Sequence, residues 1–168
     1  MPARFWNTSR NDKTGKIQHE IDSDCLHYFL KLNGFYSLYD ENSTSTKYVR
    51  IIGNTVQSIK AKDIRKFLRG FAKERFLHRE IRNLLLNSSR LSDGALENLE
   101  EIMLDFTSFT PKSQFFFFPR SSWEVTGKGI IEHKAGSGTN DRYVWENNII
   151  DHDTKVLADM FSITRQER

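Results

Sequence analysis

Residues 48–71 constrain the fold more than any other stretch, because the spacing of their apolar residues changes from a strand period to a helix period. Two runs rich in β-branched and aromatic residues, 48–52 and 55–59, are separated by Gly53 and Asn54. Both of these residue types tolerate positive φ, so the pair is typical of the tight turn in a β-hairpin. The sequence therefore predicts two antiparallel strands that lead directly into a helix.

The helix predicted from Ala61 onward has two distinct faces. Its apolar residues recur at i, i+3, i+4 and i+7, and we expect the face that they form to be buried: Ile64, Phe67, Leu68 and Phe71. Its basic residues recur about once per turn on another face. We call that set the basic stripe, and Arg65 flanks it: Lys62, Lys66, Arg69 and Lys73.

Two interpretations of the basic stripe are open. Lysine and arginine are good helix formers, and most charged helix faces are simply solvated. Alternatively, cations spaced about one turn apart follow a phosphate backbone, where each neutralised phosphate releases counterions and adds salt-dependent affinity. Asp63 is the only acid among residues 55–73, so little negative charge in the helix offsets the stripe. This favours a nucleic-acid partner, and we expect single-stranded DNA.

The segments before residue 48 predict further strands and one helix. Strands are expected at the start of the chain and at residues 16–21, with Gly15 at the reversal between them. Asp22 or Ser23 can cap a helix that runs to about residue 32, and the pair Asn33–Gly34 is typical of a helix end. A strand is then expected at residues 35–39.

Beyond the first central helix, the sequence predicts two more helices and then a β-meander. The second helix begins after a break near residues 75–78, and the third runs from an N-cap at Ser92 to near Met103. Four consecutive phenylalanines at 115–118 indicate a strand covered on both faces, so Phe116 and Phe117 should both be buried. We therefore expect one α+β domain over residues 1–168, with a strand-rich part at 5–60, a helical part at 61–104 and an antiparallel meander at 113–150.

Composition narrows the class of protein. The single cysteine, Cys25, excludes an intramolecular disulfide, and no apolar run is long enough to span a bilayer. The first residues contain no apolar signal core. We expect a cytoplasmic protein with no membrane partner. The formal net charge of +3 is compatible with an anionic partner but does not establish one.

No motif in the sequence predicts a catalytic, metal or cofactor site, and one carboxylate pair is the remaining alternative. The chain has no G-x-x-x-x-G-K-[ST] loop, no H-E-x-x-H zinc motif and no G-x-S-x-G serine motif. Asp151 and Asp153 follow the apolar pair Ile149–Ile150, and on a continuing strand they would share one face, as metal-dependent nucleotidyl transfer requires. Asp-x-Asp is also common at strand exits and helix caps.

The order of several motifs resembles a known group of replication proteins. The motifs are F-W near the start, N-G-F-Y, Y-V-R-I-I-G-N-T-V, D-I-R-K-F-L, S-Q-F-F-F-F-P, W-E-V-T-G-K-G-I and Y-V-W-E-N-N-I-I-D-H-D. Over residues 5–153 the chain resembles the region ahead of the ATPase core in phage and mobile-element primase-helicases of the superfamily-3, poxvirus-like type. In that family the phosphate-binding loop, the second acidic ATPase motif and the arginine finger would all lie beyond Arg168.

The resemblance implies a non-catalytic domain of a longer DNA-replication protein from a bacterium or a phage-infected cell. Such a domain would contact DNA through Lys62, Arg65, Lys66, Arg69 and Lys73 or position the subunits of a homo-oligomer, and it would not hydrolyse ATP alone. Two alternatives stay open. The chain is an adaptor that binds protein through exposed aromatics such as Phe35, Tyr36 and Trp123, or a metal-dependent primase that uses Asp151 and Asp153.

Overall fold

The structure, a computed structural model, describes residues 4–39, 46–134 and 142–151. In this part of the chain the fold mixes helices and strands. The helices are α1 (Ser23–Leu32), α2 (Ala61–Glu74), α3 (Arg79–Asn87) and α4 (Asp93–Leu96). The strands are β1 (Trp6–Arg10), β2 (Ile17–Ile21), β3 (Phe35–Leu38), β4 (Lys47–Ile52), β5 (Thr55–Ile59), β6 (Glu101–Ile102), β7 (Phe109–Thr110), β8 (Ser113–Phe117), β9 (Ser121–Thr126), β10 (Gly129–Lys134) and β11 (Val144–Trp145). The predicted α+β class is confirmed.

The N-terminal segment folds as its sequence predicts. β1 and β2 pair antiparallel, and Gly15 has a positive φ of 66° in the turn region between them. The side chain of Asp22 accepts a hydrogen bond from the Cys25 amide (2.9 Å) and so caps α1. The helix ends at Leu32 with Asn33 as its C-cap, and Gly34 follows with a φ of 81°, a conformation that glycine adopts without strain.

A five-stranded mixed sheet forms the centre of the fold. Its strand order is β11-β5-β4-β3-β6, and the predicted hairpin β4–β5 pairs Ile52 with Thr55 across the turn. Gly53 has a φ of 60°, whereas Asn54 is not in the positive-φ region. The two outer strands, β6 and β11, pair parallel to β3 and β5 and come from later parts of the chain.

The third predicted helix is much shorter than expected. Ser92 caps α4, as predicted, but the helix ends at Leu96 instead of near Met103. Residues beyond it form β6, where Ser37 pairs with Glu101. The helical prediction was wrong here because the backbone of residues 101–102 gains a pairing with β3 that no local pattern reveals.

The meander is confirmed in part. β7, β8, β9 and β10 form a four-stranded antiparallel sheet in sequence order. The predicted extension to residue 150 is wrong, since β11 joins the five-stranded sheet and residues 146–148 form a turn of 3-10 helix. The prediction that both central phenylalanines are buried is also wrong: Phe117 is buried, while Phe116 on the opposite face is 39% exposed. Only one face of β8 is covered.

The main core lies where α1, α2, α3 and the N-terminal strands meet. Aromatic rings connect these elements: the centroids of Phe29 and Phe71 are 4.8 Å apart, as are those of Phe35 and Phe67. A second, smaller cluster joins the meander to β11 through Phe115, Phe117 and Val144. Within the described residues, no helix has both the length and the apolar character needed to cross a membrane.

Candidate nucleic-acid interface on helix α2

The start of α2 is fixed by reciprocal hydrogen bonds between two residues. The backbone N–H of Lys60 donates to the Asp63 carboxylate (3.0 Å), and the N–H of Asp63 donates to the Lys60 carbonyl (2.8 Å). A carboxylate in the first helical turn also interacts favourably with the helix dipole. The carboxylate of Asp63 is therefore occupied at the start of the helix.

The apolar face of α2 determines which way the helix is turned. Ile64 and Leu68 are completely buried, and Phe67 and Phe71 pack against the main core while remaining partly accessible. Arg50 on β4 lies over the Phe67 ring, with its guanidinium carbon 5.0 Å from the centroid. Rotating the helix to bury its cations would expose these apolar side chains, so the orientation predicted from the sequence is confirmed.

The basic stripe lies on the opposite face, in solvent. All four of its side chains are exposed: Lys62, Lys66, Arg69 and Lys73. At about 100° of rotation and 1.5 Å of rise per residue, they fall within an arc of roughly 60° and extend over about 16 Å of helix. Both acids of α2, Asp63 and Glu74, lie roughly a quarter turn or more away from the centre of that arc. The exposed arc is uniformly positive.

The spacing of the four stripe cations brings like charges together on α2, and of these cations Lys73, in the last turn, is the one that the helix dipole favours. Lys62 and Lys66 are four residues apart, as are Arg69 and Lys73, and like charges at this spacing destabilise a helix by about 0.2–0.5 kcal/mol per pair. Lys62 also lies in the first turn, where the helix dipole disfavours a cation. None of the four stripe side chains forms an ion pair with another described residue.

Arg65, predicted together with the stripe, is placed differently. Its Nη1 donates to the Leu91 carbonyl (3.0 Å) and to the Asp93 carboxylate (2.6 Å). These contacts connect α2 to the segment that leads into α4. The Arg65 guanidinium is thus committed to the fold, and the four outer cations make up the candidate interface.

The C-terminal end of α2 is formed by a left-handed residue that was not predicted from the sequence. The N–H of Leu77 donates to the Ala72 carbonyl (3.0 Å) and that of Phe76 to the Lys73 carbonyl (3.1 Å), which is the Schellman arrangement at a helix end. Its left-handed position is usually glycine, but here it is Phe76, with φ 51° and 94% exposure. The sequence gives no signal for it, because glycine rather than phenylalanine marks a left-handed helix end.

The remaining predicted sites are not assembled in the described residues. Asp151 is exposed and follows irregular backbone rather than a strand, while His152 and Asp153 lie outside the described residues, as does the helix suggested by 154–161. Among the described residues, no cluster of three or more His, Cys, Asp or Glu side chains could hold a metal. Of the proposed adaptor aromatics, Phe35 is buried, and Tyr36 and Trp123 are half-buried.

The sequence was compared with protein families and with curated proteins. No protein-family model matches the chain, and no curated protein is significantly similar to it.

Proposed function

We propose that this domain binds single-stranded DNA through the basic stripe of α2, as a non-catalytic DNA-contacting or subunit-positioning part of a phage-type primase-helicase. One observation supports the proposal most: four cations are held on one exposed arc of a helix whose opposite face is buried. A helix face that served only solubility would gain by alternating its charges. Here like charges repeat instead.

The stripe suits a phosphate backbone better than a base sequence. Lysine and arginine side chains at helical spacing contact phosphate oxygens, which position a strand without reading its bases. Binding should therefore be weak, tolerant of sequence and opposed by salt. For single strands, the slope of log affinity against log salt is about 0.7 per phosphate neutralised, so four contacts give a slope of about 2.8.

A salt series tests the proposal. Binding of a fluorescent single-stranded oligonucleotide is measured for the parent and for Lys66→Glu/Arg69→Glu, which should reduce the slope by about 1.4 if two contacts are lost. The matched control is Lys112→Glu/Lys128→Glu, which changes net charge equally at exposed positions on the meander turns. Equal slopes for the parent and the stripe variant, with both folded, would mean that the stripe is only a solvated face.

The wider role in a primase-helicase has a separate test. The coding sequence that follows Arg168 should contain a G-x-x-x-x-G-K-[ST] loop, because the proposed partner domain must bind nucleotide phosphates. A downstream sequence without any such loop would contradict the primase-helicase role while leaving DNA binding by α2 intact.

A protein-interaction role is the second candidate, and it is favoured by a different surface. One face of the meander carries Phe109, which is 63% exposed, Phe116, and the half-buried Trp123 paired directly opposite Phe116. Exposed aromatic side chains on a sheet are typical of interface residues. If the Phe116→Ser variant no longer binds a protein partner that the parent binds, and its DNA binding is unchanged, the result would support this role.

A further inference from the structure

We propose that Phe76 is a base-stacking residue, which adds an aromatic contact with one unpaired base to the phosphate contacts of the basic stripe. This inference rests on the proposed function, since it adds a second component to the binding of DNA by α2. The backbone conformation of Phe76 suits a glycine, whereas its side chain is a large aromatic ring.

The backbone at Phe76 suits a glycine. A φ of 51° brings the β-carbon of any other residue close to the backbone, and bulky residues rarely adopt this conformation. The two hydrogen bonds of the Schellman arrangement need the left-handed residue, but they do not need a side chain there. The fold therefore tolerates phenylalanine at a position where glycine would be less strained.

The side chain of Phe76 contributes nothing to the core. It is 94% exposed, the highest exposure among the described large apolar residues, whereas its neighbour Leu77 packs against the main core. No ring contact with another described aromatic residue involves it. Phe76 therefore combines a strained backbone with a solvated aromatic ring. Ligand binding explains this combination, and folding does not.

The surroundings of Phe76 indicate what that ligand is. It follows the C-terminal end of the basic stripe, and the exposed charges within three residues of it are net positive, with three cations and one acid: Lys73, Arg75, Arg79 and Glu74. The exposed cations favour an anionic polymer as the ligand. The Phe76 ring favours a ligand with a flat, neutral aromatic surface. The C-terminal end of a helix carries partial negative charge, which suits a neutral base better than a phosphate. A nucleic acid with unpaired bases meets all three conditions.

The experiment compares oligo(dT) with a strand of the same length that has abasic sites in place of bases. Stacking on an aromatic side chain is worth about 1–3 kcal/mol per base, which corresponds to an affinity loss of roughly 5-fold to 150-fold on its removal. The parent should prefer oligo(dT) over the abasic strand at least about 5-fold. Phe76→Gly should bind both strands equally, with a salt slope equal to that of the parent.

Two more variants separate stacking from bulk and from folding defects. Phe76→Trp should keep the preference for oligo(dT), and Phe76→Leu, which is apolar but has no π-face, should lose it. Phe109→Leu, at an exposed phenylalanine on the meander, is the matched control and should bind as the parent does. Phe76→Gly should melt no lower than the parent, because glycine relieves the positive φ.

The outcomes distinguish this inference from the proposed function. If Phe76→Gly or Phe76→Leu keeps the parent's preference for bases, Phe76 is not a stacking residue, while a salt slope that depends on the stripe would leave the proposed function standing. If the parent binds neither strand at low salt, both proposals are overturned.

Discussion

The carbonyl oxygen of Ile51 lies against Gly34, where a β-carbon on Gly34 would overlap with it. The same two residues are joined by a hydrogen bond from the Ile51 N–H to the Gly34 carbonyl (2.8 Å). The end of α1 therefore packs directly against β4. Gly34 is required both for its φ of 81° and for this close approach.

Replacing Gly34 with alanine should therefore lower the free energy of unfolding by more than about 2 kcal/mol, through backbone strain and displacement of β4. The matched control is Gly70→Ala, since a β-carbon on Gly70 within α2 meets no atom within 4 Å apart from those of its chain neighbours and of the adjacent helix backbone. Alanine at that helical position should stabilise the protein by about 0.5–1 kcal/mol. Urea denaturation of the two variants should show shifts of opposite sign, and two shifts of the same sign would contradict the assignment.

Adjacent phenylalanines in β8 should differ in their contribution to stability. Phe117→Ala removes a buried ring from the cluster with Val144 and should cost about 3–5 kcal/mol. Phe116→Ala removes a ring on the uncovered face and should cost less than about 1.5 kcal/mol. Denaturant melts of the two variants measure the difference. Equal losses would show that the face bearing Phe116 is covered after all.

The cap of α1 should make stability depend on pH below about pH 4. The hydrogen bond from the Cys25 amide, with a further one from Asn7, holds the pKa of Asp22 below its ordinary value. The folded protein then binds fewer protons at this site than the unfolded chain, so the stabilisation is fully present above about pH 4 and is lost as the pH falls through the folded-state pKa.

Asp22→Asn tests this pH dependence, because asparagine still caps the helix but carries no charge. The urea midpoints of the parent and the variant are compared from pH 6 down to pH 2.5. The parent should be the more stable protein at pH 6, and the difference should shrink as the pH falls. A difference that stays constant over the whole range would show that the Asp22 carboxylate does not titrate with folding.

Arg65 should contribute to stability rather than to DNA binding. Arg65→Met removes the hydrogen bonds to Leu91 and Asp93 and should cost about 1 kcal/mol in urea denaturation, with the salt slope of oligonucleotide binding unchanged. Arg69→Met, one turn further along α2, should show the opposite behaviour. It should leave stability in urea nearly unchanged and reduce the salt slope of oligonucleotide binding by about 0.7. A reduced slope for Arg65→Met would place Arg65 in the interface.

Local patterns predicted the parts of the fold that depend on local interactions. The Gly53 turn, the Asp22 cap and the change of period at Ala61 all lie within a few residues of the structure that they determine. The patterns failed where pairing with a strand that is distant in the sequence determines the structure. Glu101 pairs with Ser37 and Val144 with Thr55, so residues with helical or meander patterns were taken into the central sheet.

The same distinction applies to the candidate interface. The basic stripe was predictable because burial of Ile64 and Leu68 fixes the helix by its own period. The commitment of Arg65 to Asp93 was not, because the two residues are far apart in sequence. Phe76 was missed because only the backbone angles show that the helix ends in a left-handed residue there.

The central sheet has its two borders closed by late segments, with β6 beside β3 and β11 beside β5. An uncovered strand presents a row of free amides and carbonyls that readily pair with other chains. On the ribosome, the three strands β3, β4 and β5 emerge before either covering segment has been made. Until Trp145 is synthesised, the β5 border has no neighbouring strand, so we expect self-association through that border to compete with folding during translation.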